Sequence, residues 1–125
     1  MIAVEARQDI IANNIANVQT TRTPEGGAFR RQLTVFRGEN FRKGVRSDKL
    51  GVRVKGVIKD SSPLRQVYDP SHPDASEAGY VDYPNIDLAV EMVNMISAQR
   101  AYEANIAVIV SSKRMRQKAL EIIQR

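Results

Sequence analysis

The chain has no cysteine, no tryptophan and a single histidine among its 125 residues. Without thiols it builds neither a disulfide framework nor a thiolate zinc site, and His72 alone cannot supply a multi-histidine metal centre. Long apolar runs are also missing. The longest, residues 106–110, is five residues, against the roughly 18 or more that a bilayer span needs, so no direct membrane span is expected. Met1-Ile2-Ala3-Val4 is followed by Glu5, Arg7 and Asp9, which is not the basic start and apolar core of a secretory signal. Two absences are positional: no glycine or proline follows Pro84, and no lysine or arginine falls between residues 67 and 91.

What is present has the bulk composition of one small soluble domain, 42% hydrophobic and 26% charged. The net charge of +5 is unevenly spread: residues 1–21 carry −1, 22–66 carry +8, 67–91 carry −6 and 92–125 carry +4. A basic block beside an acidic one suggests complementary pairing, within one molecule or between neighbouring copies; two solvated faces would give the same totals.

The stretch free of glycine and proline carries the clearest periodicity. Leu88, Met92, Met95, Gln99, Tyr102, Ile106, Ile109, Lys113, Arg116, Leu120 and Ile123 recur at alternating steps of four and three, the seam of a helix that lies against another helix. Asn85 or Asp87 can cap its start. A helix over 86–123 is about 57 Å long, more than a domain of this size can cover, so part of its seam must find partners elsewhere. The N-terminal segment repeats the pattern at Val4, Gln8, Ile11, Ile15 and Val18 and predicts a second helix. Asn13, Asn14 and Asn17 are poor interior helix residues, which either fray the helix end or bond to a neighbour. The fold class expected is mostly α with a small β-rich insertion: 1–21 together with 86–125 form a paired, coiled-coil-like helical domain, and 22–85 a β-rich and loop region.

In that middle region Phe29, Leu33 and Val35, then Val52, Val54, Val57 and Ile58, predict two or three strands. Glu25-Gly26-Gly27 and Gly38-Glu39-Asn40 read as turns. Residues 42–49 read as a mobile basic connector, and residues 69–73, with two prolines, cannot be regular structure.

For chemistry, only His72 with Asp69 makes a candidate acid–base pair, and a solvated or structural histidine accounts for it better. No nucleophile elbow, phosphate loop or zinc-protease helix occurs. The residues predict no catalytic, cofactor or metal site, and no enzyme. The alternative reading is a small basic nucleic-acid-binding module, with Phe29-Arg30-Arg31 and Phe41-Arg42-Lys43 offering cations beside aromatics; the acidic block beside them argues against it.

The run Ile10-Ile11-Ala12-Asn13-Asn14-Ile15-Ala16-Asn17, followed by Thr20-Thr21, resembles the amino-terminal signature of the bacterial flagellar rod and hook family. Thr20-Thr21-Arg22-Thr23-Pro24-Glu25-Gly26-Gly27-Ala28-Phe29-Arg30-Arg31 is similar to the proximal-rod branch of that family. Val67-Tyr68-Asp69-Pro70-Ser71-His72-Pro73-Asp74-Ala75, Gly79-Tyr80-Val81-Asp82-Tyr83-Pro84-Asn85-Ile86-Asp87, Glu91-Met92-Val93-Asn94-Met95-Ile96 and Arg100-Ala101-Tyr102-Glu103-Ala104-Asn105 agree with it. The resemblance covers nearly the whole chain, with 39–59 only loosely matched. It implies a self-associating, torque-transmitting structural subunit of the periplasm-spanning rod of the flagellar basal body, exported without a cleaved signal peptide by the flagellar type III apparatus. Its implied partners are other rod proteins, the rod-base adaptor and the bushing rings.

Under that resemblance the expected assembly interface comprises Ile11, Asn13, Asn14, Ile15, Asn17, Met92, Met95, Ile96, Arg100, Tyr102, Glu103, Asn105, Ile106 and Ile109. The asparagines would bond across helices, while Arg100, Glu103 and Asn105 would fix register on the outer faces. Family members carry more helix ahead of the residues matching Met1 to Arg7. On that comparison the isolated chain is expected to be monomeric or weakly associating, with frayed ends.

Overall fold

The structure, a computed structural model, describes residues 1–40 and 50–123, with the side chains of 39, 40 and 50 excepted. The expected connector at 42–49 and the Phe41-Arg42-Lys43 cluster lie outside the described residues. Among the described residues six elements follow in order: α1 (Ile2–Ala16), β1 (Gln32–Asn40), β2 (Leu50–Lys59), β3 (Arg65–Tyr68), β4 (Tyr80–Tyr83) and α2 (Leu88–Ile123). The chain thus has a helix at each end and a small antiparallel β middle of two separate two-stranded sheets.

α1 stops at Ala16, earlier than its apolar spacing through Val18 suggests, because asparagines take over the hydrogen bonding. The Asn17 amide donates to the Asn13 carbonyl at 2.8 Å and to Asn13 Oδ1 at 2.9 Å, and the Thr20 hydroxyl donates to Asn17 Oδ1 at 3.1 Å. Side-chain bonds of this kind satisfy the last carbonyls and let the backbone leave the helix. α2 is capped by Asp87, whose Oδ1 accepts the N–H groups of Ala89 (2.9 Å) and Val90 (3.3 Å). Asn85, the other capping candidate, instead ties the β region to the approach of α2.

Strand β1 pairs with β2 from Gln32↔Lys59 to Asn40↔Leu50, with a bulge between Val35 and Phe36. Gly38-Glu39-Asn40 is therefore strand and not the turn expected from its composition, since its backbone pairs with residues 50–52. Glu25-Gly26-Gly27 does form a turn, with both glycines at positive φ (92° and 77°). The short β3–β4 pair was not foreseen. It closes around Gly79 at φ 81°, where an added Cβ would stand 2.9 Å from the Tyr68 ring.

The core is small. Ile11, Val81, Ile86 and Ala98 are the buried hydrophobic side chains, Pro84 is fully covered, and Asn14 and Glu91 are each 1% exposed. On α2 the covered side runs through Glu91, Asn94, Met95, Ala98, Tyr102 and Asn105 and then stops. That spacing of four and three shares only Met95 and Tyr102 with the expected seam. The distance from Glu91 to Asn105, about 21 Å at 1.5 Å per residue, is about what α1 spans from Asn14 back to its start. The two helices thus lie antiparallel from the Asn14–Glu91 contact outward, and the last 18 residues or so of α2, about 27 Å, extend past α1.

Candidate assembly interface

Two features of the helical region bear on assembly: a polar junction that fixes α1, the β hairpin and α2 to each other, and an apolar surface on α2 that nothing among the described residues covers. The junction is centred on Asn14 and Glu91. The Asn14 amide donates to Glu91 Oε2 at 3.0 Å and to the Gln32 carbonyl at 2.9 Å, while its Oδ1 accepts the Gln32 N–H at 2.9 Å. Glu91 Oε1 accepts from Arg31 Nε at 3.0 Å and Nη2 at 2.6 Å. Both carboxylate oxygens of a nearly inaccessible glutamate are thus occupied, the condition under which a buried charge is tolerated. Asn85 extends the junction, its Oδ1 accepting the Arg31 N–H at 2.9 Å and its amide donating to the carbonyls of Asp60 (3.3 Å) and Ser62 (3.2 Å).

Of the three asparagines expected to bond across helices, Asn14 bonds to the other helix of its own chain among the described residues. Asn13 donates to Gln32 Oε1 at 3.2 Å, a contact with β1, and Asn17 bonds within its own helix end. Position decides: Asn14 shares the inward face with Ile11, three residues before it, whereas Asn13 is exposed. Arg31 and Asn85 were missed as junction residues, although Arg31 sits in a basic cluster whose acidic complement contains Glu91.

The second feature is surface. Of the other expected interface residues, Ile11 is buried, and Ile15, Met95, Tyr102 and Asn105 are half-buried within the chain. Met92 (55% exposed), Ile96 (57%), Ile106 (38%) and Ile109 (42%) face solvent. Arg100 and Glu103 are exposed and pair with each other at 3.3 Å. Further along α2, Val108, Met115, Leu120, Ile122 and Ile123 are also exposed. The expected seam is therefore covered in part: Met95 and Tyr102 share the covered side with Glu91 and Ala98, Ile109 continues that side beyond α1, and Met92, Ile96 and Ile106 are open.

The candidate acid–base pair does not form. The Asp69 carboxylate accepts from the Ser71 hydroxyl and N–H, which hold its pKa below the ordinary 3.8, and His72 Nδ1 accepts the Asp74 N–H at 3.1 Å. Of the cations expected to meet phosphates, two are engaged: Arg30 donates to the Asp60 and Ser62 carbonyls and Arg31 to Glu91. Among the described residues no group of histidine and carboxylate side chains could hold a metal ion, and no helix is long and apolar enough to cross a membrane.

A chain with terminal helices, a small β middle and an open helical face has the form of a subunit completed by its neighbours. Comparison with known proteins agrees. Residues 1–22 match the family model described as flagella basal body rod protein, and residues 77–122 match that described as flagellar basal body rod FlgEFG protein C-terminal. The class is thus the flagellar rod proteins. The chain is 51% identical to the flagellar basal-body rod protein FlgC of Borreliella burgdorferi over 99% of its own length and 91% of that protein. It is 36% identical to FlgC of Bacillus subtilis (98% and 90% covered) and 37% identical to FlgC of Escherichia coli O6:H1 (99% and 90%). The chain belongs to the FlgC family of flagellar basal-body rod proteins. It is a structural subunit of the flagellar basal body and not an enzyme, and neither the matches nor the geometry favour nucleic-acid binding.

Proposed function

We propose that this subunit assembles through its two terminal helices into the proximal, periplasm-spanning part of the rod and transmits torque there. The observation that carries the reading is the apolar surface that α2 leaves open, with Met92, Ile96, Ile106, Ile109 and Ile123 all exposed. Apolar surface of that extent is removed from water when helices of adjacent subunits pack on it, so assembly completes burial that one chain leaves undone. Coiled-coil-like contacts then form between subunits, with Met92, Ile106 and Ile109 in the seam, Ile96 beside it and Arg100 and Glu103 at its margin. The buried junction at Asn14, Arg31 and Glu91 serves a different end: it holds the β region to the helices so that force entering one reaches the other.

In this reading the neighbours are copies of the chain, other rod proteins, the rod-base adaptor and the surrounding bushing rings, and delivery is by the flagellar type III export apparatus without a cleaved signal peptide. The test is substitution on the open face. Ile109→Asp leaves the isolated subunit folded and abolishes motility; swimming at the normal rate with Ile109→Asp as the sole source of the subunit would overturn the reading.

A further inference from the structure

We infer that the β1–β2 hairpin of one copy docks on the β3–β4 lobe of the next, with Arg37 and Lys55 meeting Glu77 and Asp82. The inference rests on the rod reading and names one contact within it. Among the described residues the two sheets make no contact with each other inside a chain, although one is basic and the other lies in the acidic block. Each has two strands, and an isolated two-stranded unit is marginal in water unless something packs on it.

The hairpin shows what it lacks. Phe36 and Val52 are 42% and 59% exposed on one face of the hairpin, and Arg37, next to Phe36 in the strand, points to the other. Arg37 and Lys55 are exposed and enter no ion pair among the described residues.

The lobe offers the complement. Tyr80 and Asp82 alternate with buried Val81, so both point to the outer face of β4. Tyr68, across from Tyr80 in the register, stacks edge-on to it at 5.3 Å, and the two rings are 65% and 47% exposed. Asp82 accepts only the Gln66 amide, at 3.1 Å, and Glu77 stands exposed in the turn before β4. Two open aromatic rings flanked by carboxylates suit a guanidinium and an ammonium group. Because hairpin and lobe are different patches, the contact is head-to-tail and propagates into an open helical array instead of closing as a dimer.

The absence of native cysteine allows a clean test. Lys55→Cys and Glu77→Cys are placed together in the full chain, basal bodies are purified, and the rods are oxidised. The expected result is a ladder of dimers, trimers and longer species, with monomer alone from either single variant. Rods that contain the double variant but yield only monomer overturn the contact and leave the rod reading intact, as does a dimer from Lys55→Cys alone. Absence of the wild-type chain from purified basal bodies would overturn the rod reading itself. In swarming, Lys55→Glu and Glu77→Lys each reduce spread by about two- to fivefold, the range for one exposed ion pair, and together on one chain restore it; an equal or greater loss in the pair overturns the contact.

Discussion

Removing either partner of the Arg31–Glu91 bridge should destabilise the isolated subunit by unequal amounts, because the two groups differ in access to water. Glu91 is 1% exposed and Arg31 23%. In Arg31→Met the carboxylate remains in place, inaccessible, with the Asn14 amide as its remaining partner. Breaking a buried bridge in this way costs about 3–5 kcal/mol. In Glu91→Met the stranded guanidinium is already partly hydrated and keeps Asp60 at 3.8 Å, while Asn14 keeps both bonds to Gln32, so the loss is smaller, about 1–3 kcal/mol. With a urea m-value of about 1 to 1.5 kcal/mol/M for a domain this small, the two variants should differ by one to two molar in midpoint. Far-UV circular dichroism of the monomeric subunit in a urea series measures this. Equal midpoints, or a Glu91→Met loss exceeding that of Arg31→Met, would refute the claim that the junction is held by satisfying a buried carboxylate.

Three other outcomes follow from particular contacts. Ile109→Asp, on the part of α2 beyond α1, should change the urea midpoint of the isolated chain by less than the equivalent of about 0.5 kcal/mol while abolishing motility; a large loss of monomer stability would mean that this residue already has an intramolecular partner. Gly79→Ala should cost about 1–3 kcal/mol, since it combines a φ of 81° with a Cβ 2.9 Å from Tyr68, and the tyrosine signals of Tyr68 and Tyr80 should report the disturbance. The Ser62 hydroxyl and N–H bonds, followed by the charges of Arg31 and Arg30, hold the Asp60 carboxyl below its ordinary 3.8. That contribution is complete above the ordinary value and is lost as pH falls through the lowered folded one. Ser62→Ala should therefore flatten the acid limb of the stability–pH curve and leave its neutral plateau lower; an unchanged acid limb would contradict the assignment.

How far the sequence disclosed this arrangement varied with the kind of signal. Helical spacing over a stretch without glycine or proline located α2 to within a few residues, because it depends only on local propensity and periodicity. The same spacing did not tell which face α1 covers. Met95 and Tyr102 of that spacing are covered, but the most deeply buried positions are Glu91 and Ala98, a charge and a small side chain that no hydrophobic pattern selects. Burial of Glu91 depends on Arg31 and Asn14, distant in the chain by 60 and 77 residues, and only the fold brings them together. Met95 shows the practical consequence. It belongs to the expected seam but is half-buried against α1, so Met95→Asp would disturb folding as well as assembly, whereas Met92→Asp separates the two. β3 and β4, four residues each and set among prolines, were too short for alternation to register; Gly79 between two tyrosines was the available hint. In Gly38-Glu39-Asn40 turn-like composition gave way to a long antiparallel register begun at Gln32.

The central claim is that the open apolar face of α2 is covered only when subunits assemble, and a cryo-electron microscopy map of the intact basal body tests it most directly. The account predicts that Met92, Ile96, Ile106 and Ile109 each lie against helices of neighbouring subunits. A rod in which α2 of this subunit presents those four side chains to solvent would contradict it.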